Sequence, residues 1–305
     1  MSIVFGQVLI LFAFLAIGYA LAKGSIAKAE HADLLSRLLV YVFLPASVFK
    51  TFSQNCTVSY IGENYILIIT SLAIVAVLMI LTGVGVRLFL RNSPDRAVYE
   101  YSVITPNFGY MGYAIAEALF GTVGMMNAMM FAIPMSLYVY TFGFMLLSKK
   151  KATLKNLLNP MMLSLLLGAL CGVLGLGRYI PTVAYSLLDK AGACMAPVSM
   201  LLVGLVLSEY KLSDLFRRPA VYIVSALRLL LIPMLIGAVL LLFKNDALLQ
   251  SALILYAMPC GLNTVVFVKN AGGDCRPGAA LALVSNILAC ATVPLVLYIF
   301  GIRVV

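Results

Sequence analysis

The chain has 305 residues, 63% of them hydrophobic and only 10% charged, with a mean hydropathy of +1.08. No soluble domain needs that balance, and apolar stretches of membrane-crossing length place the chain among polytopic α-helical membrane proteins. The net charge of +10 does not indicate nucleic acid, because the basic residues are spread over short connections between apolar segments, where they set orientation in a membrane.

No lysine or arginine precedes the first apolar run, so it lacks the basic region of a signal peptide and reads as a retained first helix. Ten spans succeed one another, each near the roughly 20 residues needed to cross. They cover residues 3–22, 34–52, 65–90, 97–119 and 126–147, then 160–176, 183–208, 220–243, 248–269 and 278–300. The six cysteines, Cys56, Cys171, Cys194, Cys260, Cys275 and Cys290, form no C-x-x-C pair and read as small hydrophobes. No metal or other cofactor is expected.

The fourth span contains Thr105-Pro106-Asn107-Phe108-Gly109-Tyr110-Met111-Gly112 in its middle. Pro106 removes a backbone donor and its ring clashes with the preceding turn, while Gly109 and Gly112 loosen the turns after it, so the helix is expected to break there. Broken backbone at membrane depth is tolerated only where protein or a water-filled cavity covers it. The ninth span repeats the feature at Met258-Pro259-Cys260-Gly261-Leu262-Asn263-Thr264. Interrupted segments in matching positions of two halves point to a transporter's substrate site.

The halves match elsewhere too. Leu44-Pro45-Ala46-Ser47 in the second span corresponds to Ala196-Pro197-Val198-Ser199 in the seventh. Because five spans is an odd number, the second copy enters the membrane inverted. The organisation expected is a first repeat over residues 1–147, a cytoplasmic linker over 148–158 and a second repeat over 159–305. With the first connection placed in the cytoplasm, 15 lysines and arginines fall on the cytoplasmic side, including Lys23, Lys28, Arg37, Arg87, Arg91, Lys149, Lys150, Lys151, Lys155, Lys211, Arg217 and Arg276. Five fall outside, Lys50, Arg178, Lys190, Lys244 and Arg303, and Arg228 lies within a span. That bias puts both termini outside.

These residues resemble the auxin efflux carrier family, which includes bacterial organic-acid permeases and the PIN-type plant auxin exporters. The resemblance covers nearly the whole chain. It rests on Pro106-Asn107, Met111-Gly112 and Leu119-Phe120-Gly121 in one half, and on Pro259, Gly261, Phe267 and Lys269 in the other. Pro45, Ser47, residues 191–204 and the pair Arg228 and Pro233 support it. It implies a fold shared with sodium–bile acid symporters, in which spans 1, 2, 6 and 7 form a scaffold and spans 3–5 and 8–10 a moving transport core. It also implies elevator-type alternating access and a homodimer in the inner membrane. The long cytoplasmic loop of many plant members is absent, which favours the bacterial permease branch.

Breaking a helix frees N–H groups at the start of its second half, where a partial positive charge favours anions. A carboxylate site is therefore expected, lined by Asn107, Gly109, Cys260, Gly261, Asn263 and Thr264, with Pro106 and Pro259 making the breaks. Each asparagine has a bland alternative, capping the broken helix without touching substrate; Thr264 has one as a backbone-bonding hydroxyl. Superposing the prolines sets Cys260 opposite Asn107, so the site is expected to be asymmetric. Arg228 is a charge partner for the substrate or an organiser of the core. In sodium–bile acid relatives an acidic residue follows the ninth-span break, and here none does, which argues against that kind of sodium site. Gly168-Ala169-Leu170-Cys171-Gly172 is a G-x-x-x-G that packs either within the scaffold or at a dimer interface.

The function expected is a secondary transporter of a small organic anion, a mono- or dicarboxylate such as malate or malonate. The alternatives are a sodium-coupled organic-anion symporter and a channel. The expected partners are that anion and membrane lipid. Enzyme readings fail: there is no G-x-x-x-x-G-K-[ST] loop, the lone His31 makes no triad or metal cluster, and no two aspartates share the spans.

Overall fold

The computed structural model describes residues 2–28, 30–89 and 93–302; Leu90, Arg91 and Arg303 lie outside them. Among the described residues the protein is helical and forms no strand. In chain order the main helices are α1 (Ser2–Lys23), α2 (His31–Asn55), α3 (Val58–Phe89), α4 (Arg96–Ile104), α5 (Phe108–Phe131) and α6 (Ile133–Ser148). They continue as α7 (Pro160–Val173), α8 (Thr182–Ser208), α9 (Pro219–Phe243), α10 (Asp246–Tyr256), α11 (Asn263–Asn270) and α12 (Arg276–Ile299). Seven of these are long and apolar enough to cross a membrane; α6, α7 and α10 are shorter apolar helices. At 32 residues α3 runs roughly 48 Å, more than a hydrocarbon core needs.

The outward faces are apolar. Leu72, Ile80 and Leu81 on α3, Leu166 and Leu167 on α7, and Leu235 on α9 are all exposed. Water would drive such a continuous surface to associate, whereas lipid solvates it. Away from the two breaks described below, the polar backbone of the long apolar segments is closed within helices, as a bilayer requires.

Two groups of helices pack tightly. In the first, α1 lies along the Met195–Ser208 part of α8, and α7 and the first part of α8 lie along the Leu44–Asn55 part of α2. Glycine makes both contacts. A Cβ on Gly204 would sit 2.1 Å from the Leu15 carbonyl oxygen, and one on Gly172 2.5 Å from that of Phe52. The G-x-x-x-G of α7 is thus used inside the chain, against α2. In the second group α10 packs on α5 and α9, α9 packs on α12, and α3 packs on α4, α5 and α6. The groups meet where α1 touches α5 and α12, and where α2 touches α5.

Prolines shape the helices locally. Pro45 and Pro233 have no N–H for the carbonyls four residues back, and each follows a widened π turn, Leu39–Phe43 in α2 and Leu227–Leu231 in α9. One expected feature differs. The connection expected over residues 120–125 is shorter than a loop: two helices meet within Tyr113–Phe131 at a sharp kink at Gly121, whose φ of 64° and ψ of −162° only glycine adopts without strain. A one-residue turn replaces the loop because glycine alone supplies the reversal.

Charged side chains pair at the ends. Lys23 Nζ donates to the Ser208 carbonyl at 3.2 Å, Lys269 meets Glu209 at 3.5 Å and Arg218 meets Asp95 at 2.8 Å. Elsewhere Lys50 of α2 pairs with Asp189 of α8 beside the exposed Glu117, around a cavity of about 100 Å³.

Candidate functional site

The two expected breaks are present and they face each other. α4 ends at Ile104, and Thr105 turns extended with φ −110° and ψ 112°. α10 ends at Tyr256. Between each end and the next helix a short non-helical stretch passes the other, antiparallel, and Pro106 bridges to Cys260. The Asn107 N–H donates to the Pro259 carbonyl at 2.7 Å. In an unbroken helix that N–H would bond Val103. At the second break the Cys260 N–H donates to the Ser285 hydroxyl of α12 at 3.0 Å instead of bonding Tyr256. Each buried donor displaced by a proline has found a substitute partner, as burial demands. The two substitutes differ, so the crossover is asymmetric.

Both second halves begin at the crossing. α5 opens with a π turn over Phe108–Gly112, in which the Asn107 carbonyl accepts from the N–H groups of Met111 and Gly112. α11 opens at Asn263, with Leu262 at its cap. Neither opening is closed by a side-chain cap. Asn107 is buried. Asn263 donates from Nδ2 to the Tyr101 hydroxyl at 2.9 Å.

A cavity of about 30 Å³ lies on the crossing. From the breaks it takes Pro106, Asn107, Gly109, Gly261 and Asn263; opposite stand Leu44 of α2 and Met161 of α7, with Tyr140 of α6 at the side. The cavity thus sits between the crossover and the group built from α1, α2, α7 and α8. Its volume suits a water molecule or two, not a dicarboxylate.

Four of the expected lining residues, Asn107, Gly109, Gly261 and Asn263, are brought together here. Cys260 and Thr264 are not on the wall: both are 1% exposed, and Thr264 Oγ1 donates to the Gly261 carbonyl at 3.1 Å. Arg228 is fully buried behind the crossing, donating from Nη1 to the Val103 carbonyl at 3.2 Å. Tyr101 escaped the sequence reading. Nothing in its local pattern separates a tyrosine that reaches the ninth-span break from one that packs, and the contact spans 162 residues.

What this arrangement offers is the starts of two helices, with Asn107 and Asn263, on one small space whose wall has no charged residue.

The helices and their apolar belt define an integral membrane protein. The model of the family described as "Membrane transport protein" matches residues 3–155 and 144–297, and the chain belongs to that family. It is a transporter rather than an enzyme, as the auxin efflux carrier resemblance implied. An uncharacterized transporter of Methanocaldococcus jannaschii is 27% identical over 215 residues, 66% of this chain and 68% of that protein. A protein of Rhizobium meliloti named "Putative malonate transporter" is 26% identical over 321 aligned positions, covering 98% of this chain and 96% of that one.

Proposed function

We propose that the protein is a secondary carrier of a small organic anion, a mono- or dicarboxylate such as malonate or malate, that binds at the crossover of the two broken helices. The observation that carries this is the meeting of Asn107 and Asn263 at the starts of two second half-helices, on one cavity. The carboxylate accepts from those amides and backbone N–H groups, with Gly109 and Gly261 keeping the approach open. The malonate in the name of the Rhizobium meliloti relative supports the substrate class.

The architecture we infer is ten spans in two inverted repeats, over 1–147 and 159–305, with α4 and the part of α5 before Gly121 sharing the fourth span, the rest of α5 and α6 the fifth, and α10 and α11 the ninth. The tight packing of α1, α2, α7 and α8 on one another supports a scaffold, and the remaining helices form the core. Since the cavity is too small for the substrate, the core must shift away from Leu44 and Met161 before an anion enters. This is the movement an elevator mechanism supplies. The 15-to-5 distribution of basic residues supports both termini outside the inner membrane, and the expected dimer remains part of the proposal.

The test is uptake of labelled malonate and malate into proteoliposomes. Saturable uptake that unlabelled substrate on the far side accelerates is expected. Flux that rises linearly with concentration and shows no acceleration identifies a pore instead.

A further inference from the structure

Arg228 is 0% exposed, and among the described residues no carboxylate pairs with it. The widened turn Leu227–Leu231 carries it inward from α9. Nη1 bonds the Val103 carbonyl, and the guanidinium carbon stands 5.1 Å from the centre of the Tyr256 ring. Nε and Nη2 have no hydrogen-bond partner. An unpaired buried charge is expensive and persists only where its surroundings compensate it.

The surroundings here are two helix ends. Val103 belongs to the last turn of α4, and Tyr256 is the last residue of α10. The last turn of a helix presents free carbonyls and a partial negative charge. The breaks add to this: Asn107 N–H leaves Val103 for Pro259, and Cys260 N–H leaves Tyr256 for Ser285. Arg228 donates to one of the two abandoned carbonyls and lies over the ring of the residue that carries the other.

We propose that Arg228 is the resident cation of the crossover, a positioning residue that holds the two first half-helix ends together by their negative poles. The reading of the crossover as the anion site underlies this assignment. The crossing then has two electrical sides. A permanent cation stands behind it, at the ends of α4 and α10. The substrate's negative charge is held in front, at the starts of α5 and α11. Arg228 touches no substrate, and it sets the angle at which the two sets of N–H groups converge.

Charge and shape are separated by comparing Arg228→Lys, which keeps the cation, with Arg228→Gln, which keeps a hydrogen-bond donor and loses it. The dissociation constants of malonate and malate are measured on purified protein, alongside the melting temperature without ligand. Arg228→Gln is expected to weaken anion binding about ten- to thirtyfold, the worth of a charge at partly buried helix ends. Arg228→Lys is expected to fold and to bind within a fewfold of the unaltered protein. Equal loss of binding in both variants, or failure of both to fold, assigns Arg228 a role of shape and overturns the proposal. Unchanged affinity in Arg228→Gln overturns it too. Asn107→Ala serves as the control for the underlying reading. If Asn107→Ala leaves affinity unchanged, the crossover is not the anion site; if it weakens binding while Arg228→Gln does not, only the resident-cation assignment falls.

Discussion

Asn107 and Asn263 are the residues on which the binding reading turns. Asn107 follows its proline directly and Asn263 lies four positions after its own, yet both line one cavity because the non-helical stretches run antiparallel. Losing a hydrogen bond to a charged group costs roughly 1.5–3 kcal/mol, so Asn107→Ala and Asn263→Ala are each expected to lower substrate affinity about ten- to a hundredfold. Asn107→Asp is expected to do worse than alanine, since it sets a negative charge against an anion. Helix capping predicts a different pattern, a lowered melting temperature without ligand and near-normal affinity. Neither opening has a side-chain cap, which favours the first pattern. Measuring both quantities on one preparation decides between them. Asn263 has a further dependence: its amide is oriented by the Tyr101 hydroxyl. Tyr101→Phe removes that bond and leaves the ring, so a smaller loss of affinity than in Asn263→Ala is expected.

At the scale of the helix, a single backbone group decides the geometry. Pro106→Ala restores an N–H and with it a helical bond to Ser102, which straightens the break and draws Asn107 from Pro259. Transport is expected to fall sharply while the protein still folds; normal transport kinetics in this variant would show that the break does not need its proline. Gly121 is a separate test. A residue with a Cβ at φ 64° and ψ −162° is strained by about 1–3 kcal/mol, so Gly121→Ala is expected to lower the melting temperature without altering affinity in the surviving protein. The glycines of α1, α7 and α8 act in packing. Gly204→Leu puts a side chain into the backbone of α1 and is expected to prevent stable folding, read as loss of a monodisperse detergent-solubilised species.

For the whole molecule, orientation and coupling are the open physical quantities. Cysteines placed in the 148–158 linker of a cysteine-free variant are expected to resist impermeant thiol reagents applied to intact cells, and labelling from outside would reverse the topology. Transport is expected to persist when sodium is replaced by potassium or choline, because no carboxylate follows the ninth-span break and Arg228 already supplies a cation at the crossing. Strict sodium dependence would show that carbonyls and neutral side chains make a sodium site unaided.

Hydropathy and proline placement are local quantities, and they sufficed to locate most helices. The segments expected at 183–208 and 220–243 are the helices Thr182–Ser208 and Pro219–Phe243. The breaks at Pro106 and Pro259 were legible for the same reason, since a missing N–H acts on its own turn. In lipid this local logic is strong, because every backbone group must be satisfied within its own segment or by protein. The tertiary structure decided whatever depends on residues far apart in the chain. Only packing could bring Asn107 N–H to the Pro259 carbonyl, Asn263 to Tyr101, the glycines of α7 onto α2, and Arg228 to the end of α4. It also set Cys260 and Thr264 off the cavity wall, although the pattern of residues after Pro259 treats them like their neighbours. A side chain's direction at a broken helix depends on where the displaced N–H groups find partners, and those partners lie more than a hundred residues away at the fourth-span break and 25 residues away at the ninth.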